Sequence, residues 1–298
     1  MADRKTRCGR LVGFRRKTAV PVLQENHWAN TDGSDLLYLT FPGLSKLPFV
    51  RHLVTTREGG TSEGIFRSMN LSFDRGDDPE HVLENYRRVA AVFGTTPDHM
   101  VSTQQTHTVN LRRVTAADAG KGVVRPRDYT DIDGVMTDEP GLILGAFFAD
   151  CVPLLFADPV RRAVGISHSG WRGTVRRMGQ VTVERFAAEF GSRPEDLLCA
   201  IGPSICRDCY EVSEDVAGAF RKEFGADADR MMVSGKNPGK YQLDLQEANR
   251  YILLHAGVRP EHIEVTDICT CCNPELMFSH RASHGRRGNL GAFMMIAG

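Results

Sequence analysis

Four short runs in the middle of the chain, Gly134 to Thr137, Leu142 to Phe148, Val152 to Ala157 and Ala163 to Ser167, are almost wholly apolar. Turn-forming stretches containing Gly, Pro and Asp part them. A strand with one face in water alternates polar and apolar residues, and these do not. The pattern therefore predicts strands covered on both faces. Strands of that kind need layers above and below, which points to an α/β fold with a mixed sheet. Helices for the outer layers are legible on either side. Asp78 to Phe93 places Val82, Tyr86, Val89 and Phe93 at helical spacing, with Pro79 in the first turn. After Gly173 the period turns helical again through Val175, Met178, Val181, Phe186 and Phe190. Val216 to Phe224 and Leu243 to His255 predict further helices, and Val50 to Thr56 and Leu198 to Ile201 further strands.

At 298 residues the chain has room for one large domain or two smaller ones. Residues 1–48 carry weak periodicity and a polar stretch from Asn26 to Ser34, so they read as an irregular leader. No repeat, low-complexity tract or linker divides 49–298, which is expected to form one domain. Lys and Arg together number 37, as do Asp and Glu. That balance advertises neither nucleic acid nor an anionic membrane as a partner. Met1 to Lys17 is basic but lacks the apolar centre of a signal peptide. The longest apolar run, Leu142 to Ala157, is broken by Asp150 and Pro153 and is too short to span a bilayer. Eight cysteines in a chain this long are no secreted disulfide framework, and a reducing cytoplasm is expected.

Two breaks in the apolar runs carry chemistry. Asp150-Cys151-Val152-Pro153 sets a cysteine at a bend. A lone cysteine is most often a small buried hydrophobe, but a carboxylate in an apolar run is costly unless paired or near a metal. Ser167-His168-Ser169-Gly170-Trp171-Arg172-Gly173 falls where a strand ends and a helix begins, the usual ligand crevice of α/β sheets. Its glycines and serine free backbone N–H groups for an anion, and Arg172 adds a planar fork suited to phosphate. A tight turn with a solvated arginine accounts for the glycines equally well, though not for His168 and Trp171. His107, taken alone, reads as a surface residue.

These segments are similar to those of the laccase-domain, or polyphenol-oxidase-type, family associated with purine nucleoside phosphorylase activity. The matching stretches are Thr55-Thr56-Arg57 with Gly59-Gly60-Thr61-Ser62, Met69-Asn70-Leu71-Ser72, Gln105-Thr106-His107, Asp133-Gly134-Val135-Met136-Thr137, Ala149 to Pro153 and His168 to Gly173. Ile201 to Ile205, Cys269-Thr270, Phe278 to Arg281 and Gly285-Arg286 follow in the same order. The resemblance implies a compact α-β-β-α domain similar to the cysteine-histidine deamidase toxins. It implies a metal site of His107, Cys151 and His168 that holds zinc, with copper discussed for some members. It places Arg57, Asn70 and Arg172 toward a phosphate-binding end. The activity implied is phosphorolysis of adenosine, inosine or S-methyl-5′-thioadenosine, with adenosine deamination. Partners would then be purine nucleosides and phosphate. Asp150, beside the ligand cysteine, is a candidate for moving a proton or orienting a ligand histidine. The chain departs from the family in its Ile166-Ser167 lead and in Ala282, where a second arginine is common.

Three other readings stay open on the residues. One is a copper-dependent phenol oxidase, although none of the ten histidines forms the His-x-His pairs of a trinuclear copper cluster. Another is a cysteine hydrolase or cell-wall amide editor, with Cys151 as nucleophile and His168 as base. The last is a binding module merely braced by zinc. Cys206-x-x-Cys209 has the spacing of half a zinc site, and Cys269-x-Cys271-Cys272 offers another half. Inert thiols are the default there. The basic stretch Arg281 to Arg287 reads as a loop over an anionic substrate.

Overall fold

The apolar runs pair into two sheets, as strands that cannot face water must. The computed structural model describes residues 13–298. Cys8 and the basic residues around it, read above as no signal peptide, lie outside the described residues. The first sheet has the order Gln24–Ala29, Asp35–Thr40, Val50–Thr55, Leu290–Ile296, Ile143–Phe148, Met100–Ser102. Only the last pair is parallel. The second runs Ile263–Val265, Leu198–Ile201, Val152–Asp158, Ala163–Ser169, Gly134–Thr137, Leu111–Arg113, with parallel pairs at its two edges. A small third sheet joins Glu211–Ser213, Lys240–Leu243 and Met232–Ser234.

Side-chain alternation sorts each strand between two cores. In the first sheet Val54, Leu144, Ala292 and Met294 meet Val135, Leu155, Val164 and Ile166 of the second. Their neighbours Leu53, Ile143, Phe293 and Met295 face the other way, onto Val82, Tyr86 and Val89 of the helix Pro79–Val92. Met136, Leu154 and Phe156 of the second sheet pack on the helices Met178–Phe190, Glu214–Phe224 and Leu245–His255. The result is the expected α-β-β-α layering with mixed sheets. Each fully covered Val, Leu, Ile or Phe contributes about 1.5–3 kcal/mol, which explains why both faces of the central strands are apolar.

The described part of the expected irregular leader instead supplies two strands of the first sheet. Gln24–Ala29 pairs antiparallel with Asp35–Thr40, which pairs with Val50–Thr55. Leu36, Leu37 and Leu39 are buried there. The hairpin escaped notice because its outer strand is a mostly exposed edge. Its turn is also polar, with Asp32 accepting from the Ser34 N–H and hydroxyl. No helix among the described residues is long and apolar enough to cross a membrane.

Candidate metal centre

Two crossings between the sheets bring the site together. Met100–Ser102 and Ile143–Phe148 are parallel neighbours, so both leave the first sheet at the same end. The first crossing carries His107 on its way to Leu111–Arg113, and the second carries Cys151 on its way to Val152–Asp158. Gln105 ties the crossings together: its Nε2 donates to the Phe147 carbonyl and its Oε1 accepts from the Phe147 N–H. His168 arrives from the adjacent strand Ala163–Ser169, opposite Pro153. The three ligand atoms of His107, Cys151 and His168 all lie within 4.8 Å of one another. The two imidazole centroids are 5.0 Å apart and steeply inclined. Gly170 closes the cluster, because a Cβ there would sit 2.9 Å from His107 Cδ2 and 3.0 Å from Cys151 Sγ.

One buried carboxylate organises both histidines. Asp133 Oδ1 is 2.9 Å from His168 Nδ1, and the Asp133 carbonyl accepts from the His168 N–H. The same carboxylate accepts the backbone N–H groups of Thr106, His107 and Thr108 and the Thr108 hydroxyl. With Nδ1 held by Asp133, the other ring nitrogen of His168 is left for the cluster. Burial works to raise the Asp133 carboxyl, but the His168 contact and the Thr108 donors hold it below its ordinary range. Spacing alone did not identify Asp133, although it opens one of the quoted motifs.

Asp150 serves a different end. It adopts φ 90°, and His107 φ 65°, backbone conformations that cost a non-glycine residue about 1–3 kcal/mol. Asp150 is held by Thr270 Oγ1 on Oδ1 at 2.6 Å, by the Arg281 N–H on Oδ2 at 2.7 Å, and by the Ile205 N–H on its carbonyl. The expected bond from a carboxylate to a ligand histidine is thus made by Asp133, while Asp150 pins the bend that presents Cys151.

The electrostatics suit a metal. Burial would raise the Cys151 thiol, yet His168 and His107 beside it bring it down to about 6. Burial would lower His168, yet Cys151 and Asp133 lift it to about 9. A thiolate and two imidazoles form a borderline donor set that suits zinc or copper, and three protein ligands leave a fourth position open.

The expected anion ligands are spread out. Arg172 is exposed on the first turn after Gly170 and stacks on Trp171 at 4.4 Å. Arg57 reaches the carbonyls of Arg67 and Pro274 and lies over Phe278. Asn70 is buried, donates to Asp77 and accepts the N–H groups of Ser72 and Asn289. In the basic stretch, Arg281 spans the carbonyls of Cys209 and Glu211. Arg287 is buried, bonds Gly288 and Asn289, and has an Nε without a hydrogen-bond partner. Burial, then Arg75, lowers it to about 10, and Asp150 and Cys151 pull the other way. It stays cationic at neutral pH, a buried member of the basic stretch expected to lie over an anionic substrate. A cavity of ≈ 320 Å³ lined by Tyr210, Glu211, Lys240 and Arg281 opens nearby, and none of His107, Cys151 and His168 lines it.

The family described as multi-copper polyphenol oxidoreductase laccase matches residues 51–297. The chain is 38% identical over 244 residues, 80% of its length and 86% of the relative's, to purine nucleoside phosphorylase YlmD of Bacillus subtilis. It is 32% identical to adenosine deaminase RL5 of an unknown prokaryotic organism, covering 80% of this chain and 93% of that one. The crystal structure of YlmD from Geobacillus stearothermophilus is similar with a TM-score of 0.84 at 34% identity, over 94% of this chain and 100% of that one.

Proposed function

We propose, for a chain that belongs to the multi-copper polyphenol oxidoreductase laccase family, that it is a zinc-dependent purine nucleoside phosphorylase that also deaminates adenosine. The observation that carries this is the convergence of the ligand atoms of His107, Cys151 and His168 within 4.8 Å of one another, a three-donor set of the kind that leaves a catalytic zinc one position for water or substrate. Adenosine, inosine and S-methyl-5′-thioadenosine are the proposed substrates, with phosphate as co-substrate and a reducing cytoplasm as the setting. The seven described cysteines are all free thiols, which supports that setting.

A bound ion would supply Lewis acidity and lower the pKa of water at the open position, which is what attack on the purine C6 requires. The protein's own groups do the rest. Asp133 keeps the His168 ring in one orientation and holds the His107 loop, so neither ligand has to be organised when the substrate arrives. Asp150 fixes the bend behind Cys151 and is the proposed group for handing a proton on. For phosphorolysis, Arg172 is the proposed phosphate contact on the exposed side and Arg287 on the buried side. Asn70 holds Asn289, and with it the segment carrying Arg287, while Arg57 braces the loops flanking that end.

The test is chromatography of adenosine reactions run by zinc-loaded protein with and without phosphate. Adenine and ribose 1-phosphate are expected only with phosphate, and inosine in both. Cys151→Ala should abolish inosine formation. No nucleoside turnover by zinc-loaded protein, with phenol oxidation by copper-loaded protein, would refute the proposal. One observation favours a second reading, a cysteine hydrolase: Cys151, His168 and Asp133 stand in the order of a nucleophile, its base and the base's holder. A thiol hydrolase survives chelation, whereas the proposed enzyme loses deamination with its metal.

A further inference from the structure

We infer that the chain holds a second, structural zinc ion in a closed shell of four thiolates, Cys206, Cys209, Cys269 and Cys272, behind the catalytic bend. The two halves are Cys-x-x-Cys turns separated by about 60 residues of chain. Cys206 ends the loop that leaves Leu198–Ile201, and Cys209 closes the single helical turn Arg207–Cys209. Cys269 and Cys272 lie on the loop after Ile263–Val265. Because Leu198–Ile201 and Ile263–Val265 are parallel neighbours, both loops emerge side by side, and the Ser204–Cys269 bridge extends that pairing.

All four sulfurs lie within 4.8 Å of one another. Cys209 Sγ is 3.4 Å and Cys206 Sγ 3.9 Å from Cys272 Sγ, and none of the four is in a disulfide. A tetrahedral zinc with bonds of about 2.3 Å sets its sulfurs about 3.8 Å apart, so the ion fits with little movement. A cluster of several irons would splay the thiolates further apart than the 4.8 Å limit allows. The backbone is arranged for anionic sulfur as well: the N–H groups of Cys206 and Cys272 both point at Cys269 Sγ, at 3.2 and 3.4 Å. Hydrogen bonds of this kind stabilise a ligating thiolate. Four protein ligands leave no open position, which marks a structural site rather than a catalytic one.

The site clamps the supports of Asp150. Thr270, inside the second Cys-x-x-Cys turn, donates its hydroxyl to Asp150, and Ile205, next to Cys206, donates its N–H to the Asp150 carbonyl. Arg281, whose N–H completes the set, reaches the Cys209 carbonyl with its guanidinium.

The test uses full-length protein produced with zinc and analysed for metals by mass spectrometry. Cys151→Ala removes a ligand of the first centre and isolates the second. It should keep about one zinc per chain, and its zinc X-ray absorption spectrum should show four sulfurs at roughly 2.3 Å. Cys209→Ser/Cys272→Ser should carry one zinc fewer than the parent. If that variant fails to fold, the Cys151→Ala spectrum decides alone. A zinc-free Cys151→Ala protein, iron in place of zinc, or a zinc shell containing nitrogen or oxygen would overturn the inference. This outcome is independent of whether the enzyme acts on nucleosides.

Discussion

Replacing Gly170 by alanine tests the proposed metal centre with a single methyl group. Gly170 has φ −70° and ψ 177°, which alanine adopts without strain, so any effect comes from the side chain. The new Cβ would lie 2.9 Å from His107 Cδ2 and 3.0 Å from Cys151 Sγ. Comfortable contacts between carbons begin at roughly 3.5 Å, so the ligands must retreat by roughly half an ångström or more. Cys151 has little freedom, because its bend is held through Asp150 by Thr270, Arg281 and Ile205. His107 is exposed and yields. In metal-free protein that swing is cheap, but bound metal calls the imidazole back against the methyl. Overpacking of this order costs about 1–3 kcal/mol. Carried by the bound state alone, it weakens metal binding roughly 5- to 150-fold. Competition against a chromogenic zinc chelator measures the change, and thermal unfolding of chelator-treated protein checks that the fold is intact. Unchanged zinc affinity in Gly170→Ala would refute the packing of His107 and Cys151 against this glycine.

Asp133→Asn keeps the size of the side chain but removes its charge, and should weaken zinc binding about 10- to 100-fold in the same competition. Parent-like affinity would show that something else orients His168. Arg172→Ala should raise the phosphate concentration needed for half-maximal phosphorolysis and leave deamination unchanged; an unaltered phosphate requirement removes Arg172 from that role. His52 supplies a pH test far from the metal. Its Nε2 accepts the Phe41 N–H at 2.8 Å, and burial lowers the ring from 6.5 to about 4. Between those values the unfolded chain binds a proton that the folded one refuses, so stability is full above the upper value and falls as pH drops. The loss from pH 7.5 to 5 is about 2 kcal/mol. Urea unfolding of chelator-treated protein at both pH values should show His52→Gln losing less than the parent by about that amount; an equal loss would refute the burial of a neutral ring.

The layers were legible because the chain repeats one instruction along the middle strands, and Ile143 to Phe148 or Val152 to Asp158 can hide nowhere but between layers. The edge hairpin was not, since Gln24–Ala29 is exposed and has no apolar face to reveal. Leu290–Ile296 lies at the centre of its sheet, yet its Gly, Ala and Met residues lack the β-branched signature that marks Val50–Thr55 beside it. In the site, Cys151 and His168 announced themselves by interrupting apolar runs. His107 became visible only through resemblance, because its loop is polar and its partners are brought near by the parallel pairing of two strands. Asp133 follows Asp131 in a polar lead, and no spacing rule distinguishes the one that turns inward.

The two aspartates divide a task that the one residue beside Cys151 was expected to perform, and the reason is geometric. Asp150 occupies a conformation with φ 90°, a strain of about 1–3 kcal/mol that persists only if its surroundings enforce it. Its carboxylate is held by Thr270 Oγ1 on one oxygen and the Arg281 N–H on the other, bonds that keep the bend in place. Orientation of His168 falls to a carboxylate on a neighbouring strand, and Asp133 stands where the register of Gly134–Thr137 against Ala163–Ser169 brings it alongside. The Thr270 bond also makes the Cys151 bend depend on the order of the Cys269–Cys272 loop, some 120 residues away. Disorder in that loop would release Asp150 first and the ligand thiolate with it. A structural ion there would thus protect the proposed catalytic centre without touching substrate.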